Sequence, residues 1–163
     1  MVLQHCRSLK EPIRKVGCEF LACMAAAEHF LIDALSVEVV NEVWEDCIND
    51  GALDKNFSLA FPDSYRKLFS TVSSYDIAYK LFGDQVGCIE KGEVTFWSWF
   101  HSHRFNYVLR RFKCRDRFNH TILLDYSFTL LYDSAPWLQG RELIGDYLYY
   151  LSTPENFRKV ANS

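Results

Sequence analysis

The sequence predicts an α+β fold in which N-terminal helices pack on a C-terminal antiparallel sheet. Three observations predict it. Up to Gly83 the apolar residues recur at three- and four-residue spacing; after Gly92 they come in short aromatic and β-branched runs; and no repeat or low-complexity segment interrupts the chain. Helices first and strands second is the order of a single α+β domain over residues 1–163. Its core is expected over about 12–152, with a polar tail over about 155–163.

The first helix is predicted over 17–33, where Cys18, Leu21, Ala22, Ala25, Ala26 and Phe30 form one stripe. The second runs from about Ser36 to Asp50. Ser36 is its N-cap, Val39, Val40, Val43, Trp44 and Cys47 are its apolar face, and Gly51 ends it. Leu53 to Asn56 connect it to a short helix introduced by Phe61-Pro62-Asp63 and continuing to about Phe69, with Asp63 as cap. Ser74-Tyr75-Asp76 opens a further helix, closed by Gly83. Val94 to Trp99 is β-prone, and Phe105 to Phe112, His120 to Leu124 and Phe128 to Tyr132 read as strands. Gly140 to Leu151 fits either a strand with a turn or a short helix.

Composition narrows the function classes. A chain of 163 residues with 49% hydrophobic and 24% charged residues can bury a real core, which sets it apart from disordered chains. A net charge of −3 gives no general attraction to nucleic acid or anionic membrane. No apolar run reaches the length of a membrane span, and residues 1–7 lack the pattern of a signal peptide, so a cytoplasmic protein is expected. The six cysteines are irregularly spaced and include no C-x-x-C, so most are expected to be reduced, buried and structural.

Three residues stand apart from that background. Cys18 opens the first helical run, in Gly17-Cys18-Glu19-Phe20-Leu21-Ala22, where unpaired N–H groups and the positive end of the helix dipole favour a thiolate. His120 and Asp133 lie in the two arms of a strand pair. With a two-residue turn at Tyr126-Ser127, Asp125 pairs with Phe128 and His120 falls opposite Asp133, close enough for the carboxylate to orient the imidazole. A thiol, a base and an orienting carboxylate are the parts of a cysteine nucleophile system. The expectation is a Cys18 with a pKa below ~8.5, the ordinary value for a free thiol.

This layout resembles the papain-like cysteine peptidase fold, and within it the small bacterial branch that includes bacteriocin-leader peptidase domains. Gly17 to Ala22 with Ala27-Glu28, Cys47-Ile48-Asn49-Asp50-Gly51, Asn119-His120 and Tyr132-Asp133-Ser134 are also similar to an uncharacterised papain-like family encoded on spirochaete plasmids and prophages. The resemblance covers roughly 17–134 and implies a thiol hydrolase acting on a peptide or protein substrate through Cys18, His120 and Asp133. One departure bears on activity. Papain-like enzymes commonly carry a glutamine shortly before the nucleophile to complete the oxyanion hole, whereas Pro12 to Val16 occupy that stretch here and the nearest upstream glutamine is Gln4. Gln4, Asn119 or a main-chain N–H are the candidates to replace it. An inactive binding or structural protein of a mobile element is therefore the alternative.

A second constellation runs from Arg104 to Arg117, where Arg104, Arg110, Arg111, Lys113, Arg115 and Arg117 alternate with Phe105, Tyr107, Phe112 and Phe118. Basic groups among stacking rings are what a single-stranded nucleic acid binder uses. The acidic remainder of the chain favours a solvated sheet edge instead, with Phe105, Tyr107 and Leu109 sharing one inner face. His101-x-His103 near Cys114 lacks a further ligand pair at recognisable spacing, and no phosphate-binding loop occurs, so no metal and no cofactor is expected. The pattern leaves oligomeric state open.

Overall fold

The computed structural model describes residues 1–31, 34–60, 63–73, 88–93, 98, 102, 105–114, 119–138 and 143–152. They form a mixed α+β structure. Four helices come first: α1 (Glu11–Val16), α2 (Cys18–Leu31), α3 (Val37–Asn49) and α4 (Asp63–Ser73). Five strands follow, β1 (Cys88–Glu93), β2 (Tyr107–Cys114), β3 (His120–Asp125), β4 (Leu130–Asp133) and β5 (Leu143–Ser152), with a 3-10 turn at Pro136–Leu138. They make one sheet in the order β1-β5-β2-β3-β4, and every pairing is antiparallel.

α2 is the central element. Residues Phe20 to Ala27 are all buried, so this helix is apolar all round rather than along one stripe. Small residues, four of them alanine in the run Ala22 to Ala27, let neighbours approach on every side. Phe20 meets Trp44 of α3 edge to face with centroids 4.9 Å apart, and Phe30 meets Phe69 of α4 at 6.4 Å and Tyr107 of β2 at 4.7 Å. α3 follows its sequence signals closely. Ser36 Oγ accepts from the Val39 N–H at 3.2 Å, and Gly51 takes φ +80°, the left-handed conformation that ends a helix best with glycine. α4 buries Tyr65, Leu68, Phe69 and Val72, one helical stripe, and extends past Phe69 to Ser73. Its first helical residue is Asp63 itself, and the Ser64 N–H already donates to Ala60 O.

Alternation along the strands divides the core between the two faces of the sheet. Leu109, Leu123, Tyr149 and Leu151 join the helices in the main cluster, while Val108, Leu124, Leu148 and Tyr150 form a second one on the other face. Phe105 belongs to the second cluster, not to the Tyr107–Leu109 face expected for it. It precedes β2, in a bend where its N–H donates to Ser102 O, so the strand alternation does not govern it.

Two elements depart from the sequence expectations. α1, with its proline in the first turn, occupies a stretch read without structure. β1 lies in the stretch between Gly83 and Gly92, for which no element was expected, and residues 143–152 settle as one strand, β5, paired with both β1 and β2. The expected helix at 74–83, the β-prone run at 94–99, His101, His103 and the tail at 155–163 lie outside the described residues, apart from Ser98. Among the described residues no helix is long and apolar enough to cross a membrane.

Candidate active site

Cys18 is placed by its neighbour Gly17. α1 ends and α2 begins with only Gly17 between them: its N–H donates to Ile13 O at 2.9 Å, and its own carbonyl accepts from the Leu21 N–H at 2.8 Å. A Cβ at this position would sit 2.5 Å from Ile13 O and 2.8 Å from Ile13 Cα, so the junction closes only around glycine. Cys18 is therefore the first residue of α2, beside unpaired N–H groups.

The half-buried thiol donates to Asn119 O at 3.1 Å, and the Thr121 N–H also faces the sulfur. Main-chain groups on either side of His120 thus bracket Sγ. Burial, and then the adjacent Glu19 carboxylate, push the Cys18 thiol up to about 11. The N–H groups of Thr121 and Glu19 and the Arg111 guanidinium act the other way without prevailing. The expected depression below ~8.5 is overturned. A helix start lowers a thiol only if desolvation and a neighbouring anion do not outweigh it, and here they do.

His120 opens β3 and is buried, with 6% of its surface exposed. Its Nε2 lies 2.8 Å from Asp133 Oδ1, and the same oxygen accepts from the Ala135 N–H at 2.9 Å. An ionised carboxylate only accepts, so Nε2 is the donor of this bond. Nδ1 is buried and has no hydrogen-bond partner among the described residues.

The two residues meet, but not by the expected register. Asp133 pairs with Ile122, and Leu124 pairs with Leu130, with an irregularity between Leu123 and Leu124. The turn holds three residues rather than two: the Asp125 N–H donates to Thr129 O, the Phe128 N–H donates to Asp125 O, and Phe128 takes φ +63°. Asp125 Oδ1 stabilises the turn by accepting from the N–H groups of Ser127 and Thr129, both at 2.9 Å. The longer turn shifts the register by one residue and the irregularity by another. A shift of two keeps a side chain on its face, and a diagonal partner is still within reach of long side chains. His120 and Asp133 therefore bond as diagonal neighbours.

Of the oxyanion candidates, two side chains are engaged elsewhere. Gln4 Nε2 donates to Ile13 O at 3.3 Å, and its Oε1 accepts from Ser134 Oγ at 3.3 Å. With its amide oxygen turned toward the guanidinium, Asn119 accepts from Arg111 Nη2 and, at 3.2 Å, from Arg111 Nε. That guanidinium belongs to a polar network beneath the thiol. Arg111 Nη1 donates to Tyr149 Oη at 2.9 Å, and its Nε lies 3.9 Å from Glu19 Oε2. Tyr65 Oη donates to the other oxygen, Glu19 Oε1. Burial raises the Glu19 carboxyl, against the Tyr65 hydroxyl and Arg111, which lower it.

The sequence pattern missed Glu19 and Arg111 as parts of the site and offered Asn119 only as an oxyanion donor, although it held a signal for Arg111. Two-residue alternation places Arg111 on the inner face with Tyr107 and Leu109. Of the basic segment, Arg111 is thus drawn inward, and Arg110 lies over the Phe112 ring at 5.2 Å. Phe105 is 2% exposed, and Tyr107 packs against His29 and Phe30, so neither ring is an open stacking platform. Arg104, Arg115 and Arg117 lie outside the described residues. The chain matches no family model, no curated protein and no solved structure.

Proposed function

We propose that this chain is a thiol hydrolase of the papain-like type, cleaving a peptide or other amide bond with Cys18, His120 and Asp133. One observation carries the proposal. The main chain on both sides of His120 brackets the Cys18 sulfur, which donates to Asn119 O, while the imidazole is held at Nε2 by Asp133 and its buried Nδ1 bonds to none of the described residues, Cys18 included. With Nε2 committed to Asp133, Nδ1 is the ring nitrogen that a proton-shuttling role would use.

In the proposed reaction Cys18 Sγ attacks the carbonyl carbon and its proton passes to His120 Nδ1. The amide C–N bond then breaks, and the leaving amine takes that proton. Water, deprotonated by the same nitrogen, hydrolyses the thioester and returns the thiol. Asp133 keeps the ring oriented and stabilises the imidazolium. Burial and Glu19 raise the thiol to about 11, so in this scheme its proton leaves as the sulfur attacks. The Cys18 N–H at the helix start supplies one oxyanion donor. Cys6, Cys18, Cys23 and Cys47 are all unbridged, as a reducing cytoplasm would keep them.

A binding module without turnover is the second reading, favoured by the engagement of Gln4 and Asn119 away from an oxyanion position. A peptide pool digested by the wild type, Cys18→Ala and His120→Ala, with products read by mass spectrometry, separates the two. Cleavage lost in both variants supports the hydrolase. Cleavage that survives Cys18→Ala, or none by the wild type at any pH, sinks it.

A further inference from the structure

Arg111 joins two places that are far apart in sequence and critical in space. Its Nε faces Glu19, the residue after Cys18, and the same Nε together with Nη2 donates to Asn119, the residue before His120, while Nη1 is taken by Tyr149. We propose that Arg111 is a positioning residue: by bridging Glu19 to Asn119 it sets the separation between the Cys18 sulfur and the His120 ring. The inference rests on the hydrolase reading above and deepens it.

The surroundings of the bridge are built to hold it still. Tyr65 of α4 is fully buried and donates to Glu19, and Tyr149 of β5, 1% exposed, accepts from Arg111. Arg111 itself stands on β2, paired with Thr121 of β3 on one side and Tyr147 of β5 on the other. Four elements and the residue leading into β3 therefore converge on one charge pair, whose side chains are 28% and 16% exposed. A planar guanidinium can hold a carboxylate, a hydroxyl and an amide oxygen together, because its five donors diverge in a fixed fork. An ammonium is a point charge on a flexible stem and cannot fix all three directions. The fork also fixes the orientation of the Asn119 peptide, whose carbonyl accepts the hydrogen bond of the Cys18 thiol. Displacing that peptide moves the His120 backbone with it.

The geometry makes a specific demand on Lys. If Arg111 supplied only positive charge near Cys18, Arg111→Lys would restore function. If it sets a distance, Arg111→Lys fails almost as badly as Arg111→Gln, and Asn119→Ala fails too although the Asn119 carbonyl and the Arg111–Glu19 pair remain. A residue of merely structural importance would lower the melting temperature and leave the His120-dependent rate alone.

The test is the iodoacetamide alkylation rate of Cys18 at neutral pH, located by peptide mapping on the full chain. It is measured for the wild type, His120→Ala, Arg111→Gln, Arg111→Lys, Asn119→Ala and Arg111→Gln in the His120→Ala background. Melting curves verify folding, and Asn119→Ala keeps the question open to a decisive answer if the Arg111 variants do not fold. We expect Arg111→Gln and Asn119→Ala to slow the reaction by about tenfold to a hundredfold, the range that a misplacement near 1 Å produces. Arg111→Lys should recover little of it, and Arg111→Gln should add nothing once His120 is absent, because the two then act as one unit. If His120→Ala is slow while Asn119→Ala and Arg111→Gln match the wild type, the positioning role is overturned and the hydrolase reading stands. If His120→Ala itself reacts like the wild type, there is no base to position and both are overturned.

Discussion

Removing the Asp133 carboxylate should be the most costly single change in the site. Its Oδ1 accepts from His120 Nε2 at 2.8 Å and from the Ala135 N–H at 2.9 Å, and the side chains of the pair are each 8% exposed. A hydrogen bond to a charged group contributes about 1.5–3 kcal/mol. Asp133→Ala breaks these two and leaves a buried imidazole with no partner among the described residues, for a combined loss of roughly 3–5 kcal/mol. That is a large share of the ~5–15 kcal/mol that holds a domain together. At about 2–4 °C per kcal/mol for a chain of this size, the melting temperature should fall by roughly 6–20 °C. Asp133→Asn keeps an acceptor for both donors and loses only the charge, so it should cost about 1–2 kcal/mol. Urea unfolding of the wild type, both variants and His120→Ala measures these values, and the double mutant isolates the pair term. An Asp133→Ala protein within about 0.5 kcal/mol of the wild type would show that the bond contributes nothing, and the account of a held imidazole would fail.

Two further perturbations follow from the same structure. Gly17→Ala should destabilise by about 1–3 kcal/mol, because the new Cβ meets the Ile13 carbonyl at 2.5 Å and the α1–α2 junction must open; a melting temperature at or above that of the wild type would contradict the steric argument. Alkaline pH should also destabilise the fold. Burial raises the thiols of Cys18 to about 11 and Cys47 to about 12, while an unfolded thiol titrates near 8.5. A group raised on folding contributes stability that is complete below its unfolded pKa and lost as pH rises toward the folded one. Stability measured by urea unfolding should therefore fall from about pH 8.5 upward, less steeply in Cys47→Ala than in the wild type; equal slopes would contradict it.

Much of this was legible from residues acting locally. α3 was readable because Ser36, the Val40-Val43-Trp44-Cys47 stripe and Gly51 each signal the same helix at short range. β1 was not, since Cys88-Ile89-Glu90-Lys91-Gly92-Glu93 has little strand propensity and becomes a strand by pairing with β5. The hairpin shows a subtler limit. Phe128 rarely adopts positive φ, so nothing in its identity announced a three-residue turn. The His120–Asp133 pairing survived because the turn and the irregularity after it displaced the register twice, and two displacements preserve the face. For Cys18, its place at a helix start was readable, but its protonation was not. Burial and the Glu19 charge come from tertiary packing and dominate the helix terminus. The Glu19–Arg111–Asn119 bridge was hidden for a related reason: an arginine in a basic run reads as solvated until the sheet turns it inward.

The most direct test of the central claim is covalent capture by a peptidyl vinyl sulfone, with the labelled cysteine identified by peptide mapping in the native protein. The account predicts one adduct, on Cys18, formed at neutral pH and lost in His120→Ala, while the buried Cys23 and Cys47 stay unmodified. Labelling spread over other cysteines, or equal labelling of Cys18 with and without His120, would contradict a thiol activated by a held imidazole.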